Sequence, residues 1–370
     1  MNDIIWYTLD NILKEDAEYN LIFGERSTGK TYSVKKRIVE RASKYKEDGA
    51  VIRRYDLDFK GKRGNSLFDD LVLNGEIEKL TDGEWTNVMY WSDAWYFCRF
   101  DEKRKRIRDA NPFCYSFTLA SVEHDKSSAF PRVQTILFDE FITRSAYLPN
   151  EFVLFQNQLS TIIRKRDGVK IFMCGNSVNK YGCIYFTEMG LRHLSDMKEG
   201  SIQVYKQGNG PRIAVEYTGA VAPNGAPSDK YFAFDNPKLK MITEGKWETA
   251  MYPHLPEKYK NKDIQFKFFI KYEEKIMQCE VVDLIKEKGI IFLYIHIKTT
   301  PLRNESKDII FSQDYDPRPN WYRKITNISN EGIKRINWFF KNDKVYYQDN
   351  DVGELMRSYL QWCRTDKGAM

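Results

Sequence analysis

No stretch of the 370-residue chain approaches the ~18–20 uninterrupted apolar residues that a membrane-crossing helix needs. The longest candidate, Gly289 to Ile297, stops at Lys298 and contains His296, so no membrane span is expected. The opening segment, MNDIIWYTLDNILKEDAEYN, is acidic and broken by charge, which is unlike a signal or transit peptide. Six cysteines (Cys98, Cys114, Cys174, Cys183, Cys279, Cys363) lie far apart without a C-x-x-C pair. That spacing argues against a zinc site or disulfide framework and suits a reducing cytoplasm. Charge of one sign is scarce too: 58 Lys and Arg face 52 Asp and Glu, a net +6 that permits nucleic-acid contact without establishing it. Internal repeats and low-complexity tracts are absent.

Present instead is an ordinary globular composition, 42% apolar and 30% charged, with 23 Phe, 23 Tyr and 8 Trp. The length predicts two packed units and a connector. Tyr19 to Phe23 reads as a buried strand, followed by a Gly-containing loop and a helical pattern from Lys30 to about Lys46. Ala50–Ile52, Val133–Phe138 and Val169–Cys174 read as further parallel strands of an α/β core. The aromatic stretch Trp85 to Ser121 reads as an inserted hairpin with the charged tip Asp101 to Arg106. Gly- and Pro-rich sequence after Gln207 marks a connector. The expected division is therefore a first domain at 1–206, a linker at 207–262 and a second α/β domain at 263–370. The last contains three strand-like runs and two amphipathic helices, around Asn330–Phe340 and Val352–Cys363.

Gly24-Glu25-Arg26-Ser27-Thr28-Gly29-Lys30-Thr31 fits G-x-x-x-x-G-K-[ST] between a predicted strand and a predicted helix, the context a phosphate-binding loop requires. The two glycines let backbone N–H groups and the helix N-terminus wrap a polyphosphate. Lys30 is expected to reach the β- and γ-phosphates of ATP and Thr31 to coordinate Mg2+. Downstream, Thr135-Ile136-Leu137-Phe138-Asp139-Glu140 is an apolar strand ending in two carboxylates. Asp139 is expected to hold Mg2+ through its water shell and Glu140 to activate the attacking water. The next strand delivers Asn176, placed to sense the γ-phosphate through a water; the competing reading is a turn-forming Asn. Arg164 follows a helical stretch from Gln156 to Ile163 and reads either as an arginine finger for a neighbouring subunit or as a solvated helix end. Trp6 and Tyr7 read either as rings that stack on the base or as core aromatics, the commoner role near an N-terminus, and they stay outside the expected site.

With these segments in hand, the chain resembles the DNA-packaging (encapsidation) ATPases of small short-tailed phages of the phi-twenty-nine-like group. The resemblance rests on NLIFGERSTGKTY, VIRRY at Val51 to Tyr55, SVEHDKSSAFPRVQTILFDEFI from Ser121 to Ile142, YLPNE and IIRKRDGVKIFMCGNSVN. It implies a P-loop NTPase domain of the ASCE type with a RecA-like parallel sheet, followed by a smaller RNase H-like α/β domain. It also implies a homomeric, pentameric ring that drives double-stranded DNA into a procapsid, with the portal (connector) and prohead RNA as partners. The expected location is the host cytoplasm, on the procapsid, and not the mature virion. By position, Arg164 matches a trans-acting finger, Lys126 a basic residue reaching the adjacent subunit's nucleotide, and Arg26 the basic residue within the family's phosphate loop.

The second domain departs from active nucleases of the RNase H-like fold, because the run Phe266 to Tyr272 carries no acid where one anchors the metal pair. A nuclease-inactive domain that binds nucleic acid or the portal is expected, with Asp283, Asp349, Asp351 and Glu354 read as solvated surface acids rather than the remnant of a degenerate site. Lys60, Lys62 and Arg63, the tip Lys103 to Arg108, and Lys334 with Arg335 are basic clusters able to touch phosphates or simply to stay solvated. The competing functions are a packaging ATPase that also cuts DNA, a P-loop kinase, and a non-catalytic nucleotide-gated scaffold. Glu140, placed for water, disfavours the kinase, and the complete Lys30, Thr31, Asp139 and Glu140 set disfavours the scaffold.

Overall fold

The computed structural model describes residues 6–24, 26–124, 129–143, 147–176, 183–191, 194, 197–206, 208–219, 252–255, 257–327 and 331–365. The chain divides into two compact units that change over near residue 247.

In the first unit the short apolar runs become strands of one sheet: β1 (Tyr19–Gly24), β2 (Asp48–Arg53), β3 (Asn87–Trp91), β4 (Ala94–Phe100), β5 (Arg106–Arg108), β6 (Cys114–Thr118), β7 (Val133–Asp139), β8 (Lys170–Asn176), β9 (Ser201–Lys206) and β10 (Arg212–Thr218). Their order is β3-β4-β6-β2-β7-β8-β1-β10-β9, with β5 beside β4. From β6 to β10 every pairing is parallel. These central strands are apolar along their length because helices and crossovers bury both faces. Helix α1 (Lys30–Tyr45) buries Val34, Ile38, Val39 and Ala42, a stripe at helical spacing that joins Ile22 and Val51 in the core. Helix α2 (Glu151–Ile163) buries Phe155, Leu159 and Ile162. Strand β8 stands between β1 and β7, as an ASCE-type sheet requires.

Two boundaries differ from expectation. Residues 208–211 of the run QGNGP lie in a hairpin connection, since β9 and β10 flank the run and pair antiparallel, and Gln207 lies outside the described residues. Strand β10 then pairs with β1, so the first unit does not end at 206 and the linker does not begin at 207. Gly and Pro mark turns and linkers alike, which is why composition alone mistook one for the other. The aromatic insertion does contain the hairpin strands β3, β4 and β5, but its last segment, β6, pairs parallel with β2 and belongs to the core.

The second unit holds β11 (Ile264–Tyr272), β12 (Lys275–Leu284), β13 (Ile290–Ile297), β14 (Ile309–Ser312), β15 (Trp321–Tyr322) and β16 (Val345–Tyr347) in the order β15-β14-β11-β12-β13-β16. An antiparallel meander extended by parallel strands beside β11 is the RNase H-like arrangement expected. Helices α3 (Glu331–Lys341) and α4 (Asn350–Thr365) pack Ile336, Phe339, Leu355, Met356 and Tyr359 against Phe268, Ile270, Cys279 and Ile295. This unit also starts before the expected 263, because His254 bridges to Tyr347.

Three of the four acids singled out are committed to local structure. Asp283 accepts from Gln265 Nε2 at 2.5 Å and from the Ile285 amide at 2.8 Å, and Asp349 caps α4 through the Val352 amide at 2.9 Å. Glu354 is buried rather than solvated and accepts from Tyr252 Oη at 2.9 Å. Among the described residues, no group of three His, Cys, Asp or Glu is placed to hold a metal ion.

Glu280, also buried, accepts from Tyr259 Oη at 2.6 Å and Gln278 Nε2 at 2.5 Å, with Lys267 at 3.6 Å and His296 at 3.8 Å. Burial alone would raise its pKa, but His296, Tyr259 and Gln278 outweigh burial and lower it to about 2. A carboxyl depressed in the folded state stabilises above its unfolded pKa of about 4.3 and loses that contribution as pH falls toward 2. Glu280→Gln is therefore expected to destabilise the second unit at neutral pH and to flatten its acid sensitivity between about pH 4 and 2. Circular-dichroism melts across a pH series read this out, and an acid profile identical to wild type contradicts the assignment.

Candidate nucleotide-hydrolysis site

The C-terminal ends of β2, β7, β8 and β1 lie side by side in the sheet and deliver Arg53, Asp139, Asn176 and Gly24 to one edge. Gly24 is required there: with φ +154°, a Cβ on it would fall 2.0 Å from Thr218 Oγ1 on the adjoining strand. Gly29, at φ +96°, caps α1 in a conformation that only glycine adopts readily. The loop between them ends in the N–H groups of the first α1 turn, which the helix does not satisfy and which favour an anion. Thr28 and Lys30 are buried, with Lys30 Nζ donating to Thr28 Oγ1 at 3.1 Å, whereas Arg26 and Ser27 are exposed. Glu25 and Lys126 lie outside the described residues.

Thr31 Oγ1 donates to Asp139 Oδ1 at 2.8 Å, bringing the expected metal-binding hydroxyl and carboxylate together. The second Asp139 oxygen receives Arg53 Nη2 in a close ion pair. Glu140 follows Asp139 as an exposed carboxylate, and its backbone is left-handed at φ 60°. For a non-glycine residue this costs on the order of 1–3 kcal/mol and persists only where surrounding structure holds it. Asn176 pairs in register with Gly24, so its side chain starts from a position beside the phosphate loop.

What holds the Glu140 turn is Arg54. Arg53 closes β2 and turns to Asp139, while Arg54, the next residue, passes behind the acidic turn. Arg54 Nη1 donates to the Glu140 carbonyl and Nη2 to the Phe141 carbonyl at 2.6 Å. Its Nε lies 3.0 Å from both oxygens of Glu151, in the first turn of α2. Glu151 also accepts from Tyr185 Oη at 2.8 Å and the Leu148 amide at 2.8 Å. Both charges are buried, with side-chain exposures of 7% and 0%. Burial lowers the Arg54 pKa, and Glu151 more than compensates, so the guanidinium stays charged.

Sequence reasoning quoted Arg53 and Arg54 within VIRRY but gave them no role. Two arginines at and just after the end of a buried strand, at the edge that carries the candidate site, were the available signal. Tyr7 and Trp6 were also set aside. Tyr7 N donates to the Thr28 carbonyl at 3.0 Å, and Ser33 Oγ donates to the Tyr7 carbonyl at 2.6 Å. The neighbouring Trp6 ring is 58% exposed and lies 3.6 Å from where a Gly29 Cβ would stand. Arg164 is the one described candidate outside this cluster, because α2 starts at the site and ends away from it. Lys60, Lys62, Arg63 and the Lys103–Arg108 tip are exposed, as is Arg335.

Comparison with known proteins bears out the resemblance. The family model of the podovirus DNA encapsidation protein (Gp16) matches residues 101–192, which hold Asp139, Glu140, Arg164 and Asn176. The DNA packaging protein of Bacillus phage B103 is 30% identical over 183 residues, 49% of this chain and 50% of that protein. The corresponding protein of Bacillus phage phi29 is 27% identical over 182 residues, 48% of each. The chain thus spans about half the length of the curated relatives it matches. In fold, it is similar to the solved Phi-28 gp11 DNA packaging motor over 100% of both chains, with a TM-score of 0.57 at 17% identity. The bacteriophage Phi-29 genome packaging motor assembly gives 0.56 at 18% identity, covering 96% of this chain and 99% of that one.

Removing one member of a buried ion pair strands the other charge, at a cost of about 3–5 kcal/mol. Arg54→Met is expected to lose stability of that order in denaturant unfolding. Arg54→Met combined with Glu151→Leu should regain most of it. If Arg54 holds Glu140, the double variant remains impaired in nucleotide hydrolysis despite its recovered stability; full activity in it contradicts the assignment.

Proposed function

We propose that the chain is an ATP-hydrolysing subunit of a ring motor that drives double-stranded DNA into a viral procapsid. The observation that carries this reading is the convergence of Lys30, Thr31, Asp139 and Glu140 at one sheet edge while Arg164 lies at the other. Helix α2 spans 13 residues, about 20 Å at 1.5 Å per residue, from Glu151 at the site to Arg164 at its far end. That separation exceeds the reach of an arginine side chain. Arg164 therefore acts on a neighbour's nucleotide, and a closed ring supplies every site with one.

The backbone amides of the loop and the N-terminus of α1 bind the phosphates, and Lys30 adds its charge to the β- and γ-groups. Thr31 Oγ1 and Asp139 Oδ1, 2.8 Å apart, form a hard-oxygen pair that fits Mg2+. Mg2+ bound there supplies charge neutralisation along the phosphates. Glu140 orients the attacking water and accepts its proton, with its carbonyl fixed by Arg54. Asn176 senses the γ-phosphate, and a neighbour's Arg164 neutralises charge that develops in transfer. Trp6 offers the exposed face on which the adenine stacks. The DNA substrate, the portal, prohead RNA, and a site of action on the procapsid in the host cytoplasm follow from the resemblance. Among the described residues no helix is long and apolar enough to cross a membrane.

Hydrolysis by the full chain is expected to rise on adding duplex DNA, and Glu140→Gln to abolish turnover while retaining nucleotide binding. Arg164→Ala should lower kcat by about 10³-fold or more, the scale of an arginine finger. Hydrolysis indifferent to both DNA and Arg164→Ala defeats the motor reading. In the same preparation Trp6→Ala should weaken ATP binding by about fivefold, roughly 1 kcal/mol of lost stacking. An unchanged dissociation constant removes Trp6 from the site.

A further inference from the structure

Helix α2 ends in an unusual turn: Arg164 at φ 46° and Lys165 at φ 63° are consecutive non-glycine residues in the left-handed region. Such a pair is unfavourable unless its surroundings hold it. Both side chains are exposed, and the backbone closes the turn through the Arg164 amide on the Ser160 carbonyl and the Arg166 amide on the Ile163 carbonyl, each at 3.1 Å. The Arg166 side chain then anchors it to the core.

Arg166 Nη1 donates to the carbonyls of Pro131 at 2.9 Å and Val133 at 2.7 Å, and Nη2 to those of Phe130 at 3.0 Å and Ile162 at 3.0 Å. Its Nε donates to the Ile163 carbonyl at 3.1 Å. Every nitrogen of the guanidinium is engaged, every acceptor is backbone, and among the described residues no carboxylate pairs with it. Two of the acceptors are last-turn carbonyls of α2, which have no partner within the helix and form the negative end of its dipole. The other three belong to the segment that opens β7, the strand that ends in Asp139. One planar fork thus staples the end of α2 to the start of the acid-bearing strand. A lysine, with a single nitrogen, cannot reproduce this.

We propose that Arg166 is a positioning residue: its guanidinium fixes the Arg164 turn on the core, so that Arg164 is presented rigidly to the neighbouring subunit's nucleotide. The inference rests on the trans-acting reading of Arg164 given above. Arg166 itself touches no nucleotide, and its own subunit's phosphate loop and Glu140 lie at the opposite sheet edge. Loss of Arg166 therefore damages what a subunit gives its neighbour and leaves intact what it uses itself.

The test compares full-length Arg166→Ala and Arg166→Lys with Arg164→Ala and Glu140→Gln, alone and in pairwise mixtures. Both Arg166 variants are expected to bind a fluorescent ATP analogue as wild type does. Their kcat should fall by about a hundredfold, the scale of a misplaced catalytic group, with KM little changed. Mixing either variant with Glu140→Gln should restore activity, because Glu140→Gln subunits supply a sound Arg164 to sites whose own Glu140 is intact. Mixing either with Arg164→Ala should restore nothing, since both defects lie in the same donated group.

The Glu140→Gln and Arg164→Ala mixture is the control. If it fails to recover activity, the shared-site reading falls. If it recovers and the Arg166 mixtures with Glu140→Gln do not, or if both Arg166 variants hydrolyse ATP as wild type does, the positioning role is overturned. A variant that loses analogue binding marks Arg166 as a general structural residue and overturns the proposal equally.

Discussion

The first unit turns on one buried guanidinium. Arg54 joins four elements that are distant in sequence: the end of β2, the Glu140–Phe141 turn after β7, the first turn of α2 through Glu151, and Tyr185 through the same carboxylate. A buried ion pair is weak support for stability, because desolvation offsets much of the attraction. Its value here is geometric. The Glu140 turn is left-handed and exposed, and without a donor behind its carbonyls the carboxylate has no fixed direction. Placing a reacting group to within a fraction of an ångström is the main service a phosphoryl-transfer site renders.

The same frame separates the parts of the chemistry. The candidate phosphate loop, Thr31, Asp139 and Glu140 occupy one edge of the parallel sheet, where strand ends and the α1 N-terminus meet. Helix α2 carries the chain from that edge to the other and leaves Arg164 there. On the proposed reading a subunit so built is incomplete by itself, and Arg164 of its neighbour supplies the missing cation. On that reading the interface is part of the site, and one subunit has a direct physical means of responding to the nucleotide state of the next.

Much of this was legible in the residues, and the failures have physical causes. Gly24, Gly29, Lys30, Thr31, Asp139 and Glu140 are local in sequence to one strand-turn junction each, and a motif reports local geometry well. Arg54 and Glu151 meet across 97 positions, so no spacing rule reveals them. Arg166 was one of three basic residues in a row, and only its five backbone acceptors distinguish it from solvated neighbours. Strand β10 hid behind a Gly- and Pro-containing hairpin turn that resembles a linker. Trp6 was discounted because an aromatic near a chain end usually belongs to a core. Here Tyr7 pins the segment to Thr28, and Trp6 stays exposed.

The central claim is that no single chain contains a complete hydrolytic site. It is tested most directly by measuring ATP turnover per subunit over a wide range of protein concentration, with the oligomeric state followed by light scattering in the same samples. The account predicts that turnover per subunit climbs steeply as rings form and vanishes where the chain is monomeric. Turnover per subunit that stays constant down into the monomeric range contradicts it.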